Sequence, residues 1–295
     1  MTIVISLLLA LIFNTMACAP RASDRMDAVG AATDGTHTPL RRSAVVNGVQ
    51  LSYLDTGTGQ PVIFVHGVVT TSNIFPAYLN AYSPKFRGIA VDLRGYGDSD
   101  KPPTGFTIKN FSEDLIALAD HLNIGRPVWV GVSMGGMILQ QLALDHPDRV
   151  RALVLVSTTD GAMILDKDLP SIGRSRDYHE VSKQIIVESF PPHTAPSLYQ
   201  PLLDRIPTWN GTVLREALTS MAQANVHGKL SAIQVPTLVV VGAKDDVATP
   251  EIARGIQSQI AGARLVQFDT GHFMMAEDPE RFRSVLGEFL EQPLR

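Results

Sequence analysis

Residues 127–145, PVWVGVSMGGMILQQLALD, run an apolar stretch into a glycine-rich turn and then into a helix-forming stretch. A G-x-S-x-G turn between a strand and a helix holds its serine in a tight bend with Oγ exposed, where a hydroxyl can be activated by a neighbouring base. Ser133 is that serine. Gly131 and Gly135 leave out side chains that would collide in such a turn, and Gly136 lets the new helix pack closely on a neighbouring strand. GVSMGG alone also fits a plain glycine-rich turn. The strand before it and the spacing of Met137, Ile138 and Leu142 after it favour the nucleophile reading.

A chain of 295 residues can bury a large core, and one α/β domain carrying an insertion is the expected organisation. Hydrophobic residues at 45% and charged residues at 18% exclude wholesale disorder. A net charge of −4 gives no electrostatic reason to expect a nucleic-acid partner.

The first 20 residues carry no charged side chain, and the apolar run from Ile3 to Phe13 is too short for a comfortable membrane span. They read as a signal segment, with Cys18, the only cysteine, where a bacterial lipoprotein signal places its lipidated residue. The match is imperfect: no Lys or Arg stands near Met1, and Thr15 occupies a position where leucine is usual. Export is the expectation, either membrane-tethered through the N-terminus or periplasmic. A start codon chosen too early would leave the protein cytoplasmic. Residues 21–42 show no apolar period and read as a linker.

Beyond residue 43 the pattern is regular. Residues 43–55 alternate around Asn47-Gly48, a strong hairpin signal. Apolar runs at 61–65, 89–92, 128–132, 150–157 and 237–241 read as buried strands, and 264–268 reads as one more strand. Ile108, Phe111, Leu115, Leu118 and Leu122 make one apolar face of a helix, and alternating strands and helices imply a mostly parallel sheet. The rhythm breaks over about 160–230, where six prolines and short helical patterns near 181–187 and 213–221 indicate an inserted helical cap.

Serine chemistry needs a base, and His272 is the choice among eight histidines because it follows the last strand, where open α/β sheets place their catalytic loops. The base needs an acid to orient it. Asp245 and Asp246 both follow the 237–241 strand; Asp245 is preferred because it comes first, and Asp160 ranks third. Two backbone N–H groups should stabilise the oxyanion: Met134, directly after the nucleophile, and Val68, after His66-Gly67. The His66 side chain is expected to brace that loop. No metal or nucleotide motif is present in the sequence, and no cofactor is expected.

From about residue 45 to 290 the chain resembles the α/β-hydrolase fold family. His66-Gly67, DLRGYGDS at 92–99, GVSMGG at 131–136, GAKDDVATP at 242–250, and GHF followed by EDPERF at 277–282 occur in the family's order. The resemblance implies an eight-stranded sheet with a helical cap, and it carries the acid over to Asp245. Ser133 separates the chain from dehalogenases and epoxide hydrolases of the family, which have aspartate there. Esterases, lactonases, carbon–carbon bond hydrolases and perhydrolases remain, with a ligand-binding receptor of the same fold as the non-enzyme alternative. Where the family often has tryptophan this chain has Phe75, which leaves the acyl side of the pocket undefined. The expected substrate is a small, largely apolar carboxylic ester or lactone, because the cap is rich in apolar residues and its basic residues are dispersed. The oligomeric state is left open.

Overall fold

The computed structural model describes residues 38–161, 178–204, 206 and 211–293. The signal segment, Cys18 and most of the linker lie outside them. Eight strands, β1 (Leu40–Val46), β2 (Val49–Thr56), β3 (Gln60–Val65), β4 (Phe86–Val91), β5 (Val128–Val132), β6 (Ala152–Val156), β7 (Thr237–Gly242) and β8 (Arg264–Phe268), form one sheet in the order β1-β2-β4-β3-β5-β6-β7-β8. Only β2 runs against the others. The β1–β2 turn uses positive φ at both Asn47 (47°) and Gly48 (76°), the backbone that joins twisted antiparallel strands with two residues.

Strands β5 and β6 carry no polar side chain and are buried at every position, because their successive side chains meet one core or the other. In β3, Ile63 and Val65 join one core while Val62 and Phe64 join the other. The first core is closed by α2 (Ile108–His121), α3 (Met134–Asp145) and α7 (Pro250–Gln259), and the second by α1 (Pro76–Tyr82) and α8 (Pro279–Leu290). Helix α2 starts at Thr107, whose side chain accepts the Asn110 N–H at 3.2 Å, and buries Phe111, Leu115 and Leu118 completely. Each such side chain contributes about 1.5–3 kcal/mol, and Leu115→Ala would cost about 2–5 kcal/mol through the cavity it leaves.

Several sequence expectations need correction. Strand β1 begins at Leu40, inside the stretch read as linker, and β4 begins at Phe86 rather than at residue 89. Between β6 and β7 lie α4 (Tyr178–Glu188), α5 (Pro196–Leu203) and α6 (Gly211–Gln223), of which α5 has no counterpart in the helical patterns read from the sequence. Phe75 is fully buried against Phe64 in the second core, with ring centroids 5.2 Å apart, so it packs the body of the fold.

Strand order sets where a ligand can bind. From β3 the chain crosses by α1 to β4, and from β5 it crosses by α3 to β6 on the opposite side. Helices α1 and α3 lie on opposite faces of the sheet, so the loops leaving β3 and β5 diverge and open a crevice at the strand carboxyl ends. His66-Gly67-Val68 follows β3, and Ser133 follows β5.

Candidate active site

Ser133 adopts φ 53° and ψ −118°, a conformation that a side-chain-bearing residue holds only when its surroundings impose it. The glycines around it explain how. A Cβ on Gly135 would lie 2.3 Å from the Val65 carbonyl oxygen, and one on Gly131 would lie 2.6 Å from the Gly135 carbonyl. The Ser133 N–H donates to Val156 O (2.9 Å), and Thr158 Oγ1 donates to Ser133 O (2.8 Å), so both sides of the bend are tied to β6 and its following loop.

The ties continue across the sheet. Ser157 N–H donates to Val240 O (2.8 Å), Ala243 N–H to Phe268 O (2.7 Å), and Lys244 N–H to Thr270 O (2.9 Å). The carboxyl ends of β5, β6, β7 and β8 are thus laced into one edge that carries Ser133, Ser157, Asp245 and His272.

His272 and Asp245 are brought together by that edge. His272 Nδ1 lies 2.9 Å and 3.1 Å from the two Asp245 carboxylate oxygens, and both side chains are buried. Asp245 Oδ1 also accepts the N–H groups of Val247 (2.9 Å) and Ala248 (2.8 Å). Burial opposes ionisation of Asp245, but the His272 charge and hydrogen bond, the Ala248 N–H and the Ser157 hydroxyl outweigh it, and its pKa lies below the ordinary carboxylate value. Ser157 Oγ is buried, and no hydrogen-bond partner of conventional geometry meets it among the described residues. Asp246 is exposed.

With Nδ1 engaged by the carboxylate, Nε2 is the nitrogen left for chemistry. No hydrogen bond joins it to Ser133 Oγ among the described residues, which is common in sites that tighten only around substrate.

The Val68 loop is built against Ser133. A Cβ on Gly67 would lie 3.2 Å from Ser133 Cβ, so that backbone passes directly beside the serine. Gly67 N–H donates to Thr70 Oγ1 (3.0 Å) and Thr70 N–H to Gly67 O (3.3 Å), closing a tight turn around Val68 and Val69. His66 braces its base: Nδ1 meets Gly67 O at 2.8 Å, and Nε2 accepts the Leu93 N–H at 3.1 Å. That pattern assigns a neutral ring with its proton on Nδ1. Burial holds the His66 pKa below its ordinary value, against the opposing influence of Asp92 and the Gly67 carbonyl. Met134 opens α3, so its N–H belongs to the unbonded first turn.

Three groups around His272 carry no distinctive sequence signal. Ser189 O in the cap accepts the His272 N–H (3.0 Å), and Phe190 stacks on Phe273 with centroids 5.2 Å apart. Glu277 accepts the Gly271 N–H with both oxygens (3.0 and 3.1 Å), and burial raises its pKa, partly offset by that N–H and by Lys244. Its place in EDPERF was the one available hint.

The other histidines stand apart from this group. His121 and His193 are exposed, His146 meets Glu113, and His227 pairs with Asp160 at 2.9 Å; His37 and the His179 side chain lie outside the described residues. A solvent-open depression of about 570 Å³ beside Asn47, Arg94, Glu113 and Asp114 includes none of Ser133, Asp245 or His272. Among the described residues no group of three or more His, Cys, Asp or Glu is placed to hold a metal ion, and no helix is long and apolar enough to cross a membrane.

Comparison with known proteins agrees with this architecture. A family model described as alpha/beta hydrolase fold matches residues 60–178. The chain is 28% identical to the AB hydrolase superfamily protein YisY of Bacillus subtilis, across 82% of this chain and 95% of that protein. Among solved structures, Est816, an N-acyl homoserine lactone degrading enzyme, is 31% identical with a TM-score of 0.76, covering 84% of this chain and 100% of the other. The enol-lactonase from Burkholderia xenovorans LB400 is 26% identical with a TM-score of 0.80, covering 85% and 100%. The chain belongs to the α/β-hydrolase family and is an enzyme of the hydrolase class.

Proposed function

We propose that the protein is a serine hydrolase that cleaves a small, largely apolar carboxylic ester or lactone through an acyl-enzyme at Ser133. The observation that carries the reading is the buried His272–Asp245 pair on the same strand-end edge as the strained Ser133 elbow. In this reading Ser133 Oγ attacks the carbonyl carbon while His272 Nε2 takes the hydroxyl proton, and Asp245 stabilises the resulting imidazolium. The negative charge on the former carbonyl oxygen is met by the N–H groups of Val68 and Met134. Collapse breaks the ester C–O bond, and His272 returns its proton to the leaving alcohol. Water then attacks the acyl-enzyme, His272 takes the water's proton, and Ser133 recovers it as the carboxylic acid departs. With a lactone the alcohol stays tethered and the product is a hydroxy acid.

The side chains near the site support an uncharged substrate. Phe190 and Phe273 form an aromatic stack next to His272. Cap cations within the described residues are occupied or exposed: Lys183 pairs with Glu180, Arg215 meets the Tyr178 hydroxyl, and Lys229 faces solvent. Not every apolar cap residue serves the pocket, since Met221 is packed in the core and Leu198 is exposed; Met163, Ile164, Leu165 and Trp209 lie outside the described residues. Neutral short-chain esters and lactones should therefore outperform anionic ones of equal length in kcat/KM on the purified protein. A preference for the anionic set of about tenfold, worth about 1.4 kcal/mol in transition-state binding, would overturn the substrate class. Export with acylation at Cys18 is part of the same proposal and is tested by whether the Cys18→Ser protein leaves the membrane fraction.

A further inference from the structure

We propose that Arg41, on edge strand β1, is the positioning residue that holds the Val68 loop in register with Ser133. The inference rests on the reading of Val68 as an oxyanion donor. Arg41 Nη1 donates to Ser52 Oγ (2.9 Å) and Asp92 Oδ2 (2.8 Å), and Nη2 donates to Ser72 Oγ (3.3 Å) and Asn73 Oδ1 (2.8 Å). Nε lies 3.1 Å from Asp98 Oδ2. One planar guanidinium thus joins β2, the loop after β4 and the loop after β3, a task that depends on its rigid fork of donors.

The loop after β3 is held at two ends. Its near end is fixed by His66 and by the turn from Gly67 to Thr70. Its far end is fixed by Asp92, which is fully buried and accepts the Ser72 N–H (2.7 Å) and the Asp98 N–H (3.1 Å) besides Arg41. Arg41 is the cation paired with that carboxylate, and it also binds the Ser72 and Asn73 side chains directly. Without it the far anchor keeps a buried negative charge whose ion pair is gone. Ser72 is only four residues from Val68, so a shift at the anchor is passed to the N–H that faces the reacting oxygen. Ground-state binding of an apolar ligand does not depend on that N–H, so the effect falls on kcat.

The test uses an ester that the wild type hydrolyses and Ser133→Ala does not; turnover by Ser133→Ala would defeat the underlying function and is read separately. Arg41→Ala should lower kcat about 30-fold with KM changed less than about 3-fold, and Arg41→Lys should recover only part of the loss because an ammonium lacks the fork. Millimolar guanidinium, far below denaturing levels, should restore kcat to Arg41→Ala but leave the wild type and Arg42→Ala unaffected. A purely structural role would lower the melting temperature without a guanidinium-dependent kcat. Asn73→Ala, which removes one acceptor, should lower kcat about 3-fold and decides the matter if Arg41→Ala does not fold. The proposal is overturned if Arg41→Ala keeps wild-type kcat, if guanidinium does not raise its kcat, or, where that variant fails to fold, if Asn73→Ala is kinetically wild type.

Discussion

Two histidine–aspartate pairs in this molecule have the same closest approach, 2.9 Å between Nδ1 and a carboxylate oxygen, and different surroundings. In His272–Asp245 the side chains are 5% and 0% exposed; in His227–Asp160 they are 69% and 11% exposed. The second pair joins the two ends of the cap insertion. The Asp160 backbone accepts the Val226 N–H (2.8 Å), and its side chain also takes Gln259 Nε2 (2.7 Å). Bond length therefore does not distinguish an orienting acid from a structural tie. What differs is the place of His272–Asp245 on the strand-end edge that also carries Ser133, and the exclusion of water there, which makes a charge interaction stronger and keeps the imidazole in one orientation.

The hardest way to break this comparison is to mutate both pairs. His272→Ala should cost about 10⁶-fold in kcat and Asp245→Asn about 10⁴-fold, because the first removes the base and the second its tautomer control. His227→Ala, Asp160→Asn and Asp246→Asn should stay within about 3-fold, as expected of exposed or structural groups. Steady-state kinetics on the five proteins would invert the assignment if Asp160→Asn or Asp246→Asn proved the more damaging carboxylate change.

A smaller effect separates backbone from side chain at the oxyanion loop. Val68→Pro should lower kcat about 10²-fold because proline has no N–H, whereas Val68→Ala should remain within about 3-fold. Equal kcat in the two variants would place the second donor elsewhere.

The smallest effect concerns acid stability, and it sharpens the comparison by adding a histidine that stays neutral. The native state binds a proton on His66 less tightly than the unfolded chain does. The stability associated with neutral His66 is therefore complete above the ordinary histidine pKa of about 6.5 and declines as pH falls below it. Asp245, whose pKa is lowered, gives stability that is complete above the ordinary carboxylate value of about 3.9 and is lost only at lower pH. Between pH 6.5 and 5 the melting temperature should fall by a few degrees more in the wild type than in His66→Asn. Parallel slopes would show that His66 carries no such linkage.

Much of this architecture is legible in the residues because central parallel strands are apolar on both faces; the 128–132 run coincides with β5 to the residue. Polar edges are less legible. Leu40, Arg41 and Arg42 are exposed or half-exposed along β1, so no periodicity marks them as strand, and the partners of Arg41 are distant in sequence. Helix α5 contains Pro201, which reads as a breaker, although Pro196 occupies the first turn where a missing N–H does no harm. The choice between Asp245 and Asp246 rests in the structure on burial and on two backbone donors, neither of which adjacent identical residues can reveal.

The central claim is that Ser133 is the nucleophile activated by the buried pair. Its most direct test is labelling with a fluorophosphonate, followed by mass mapping of the modified peptide and assay of residual ester turnover. The account predicts a single adduct on Ser133, loss of turnover in proportion to labelling, and much slower labelling in His272→Ala. Full turnover after complete modification of Ser133, or inactivation with the adduct on another residue, would contradict it.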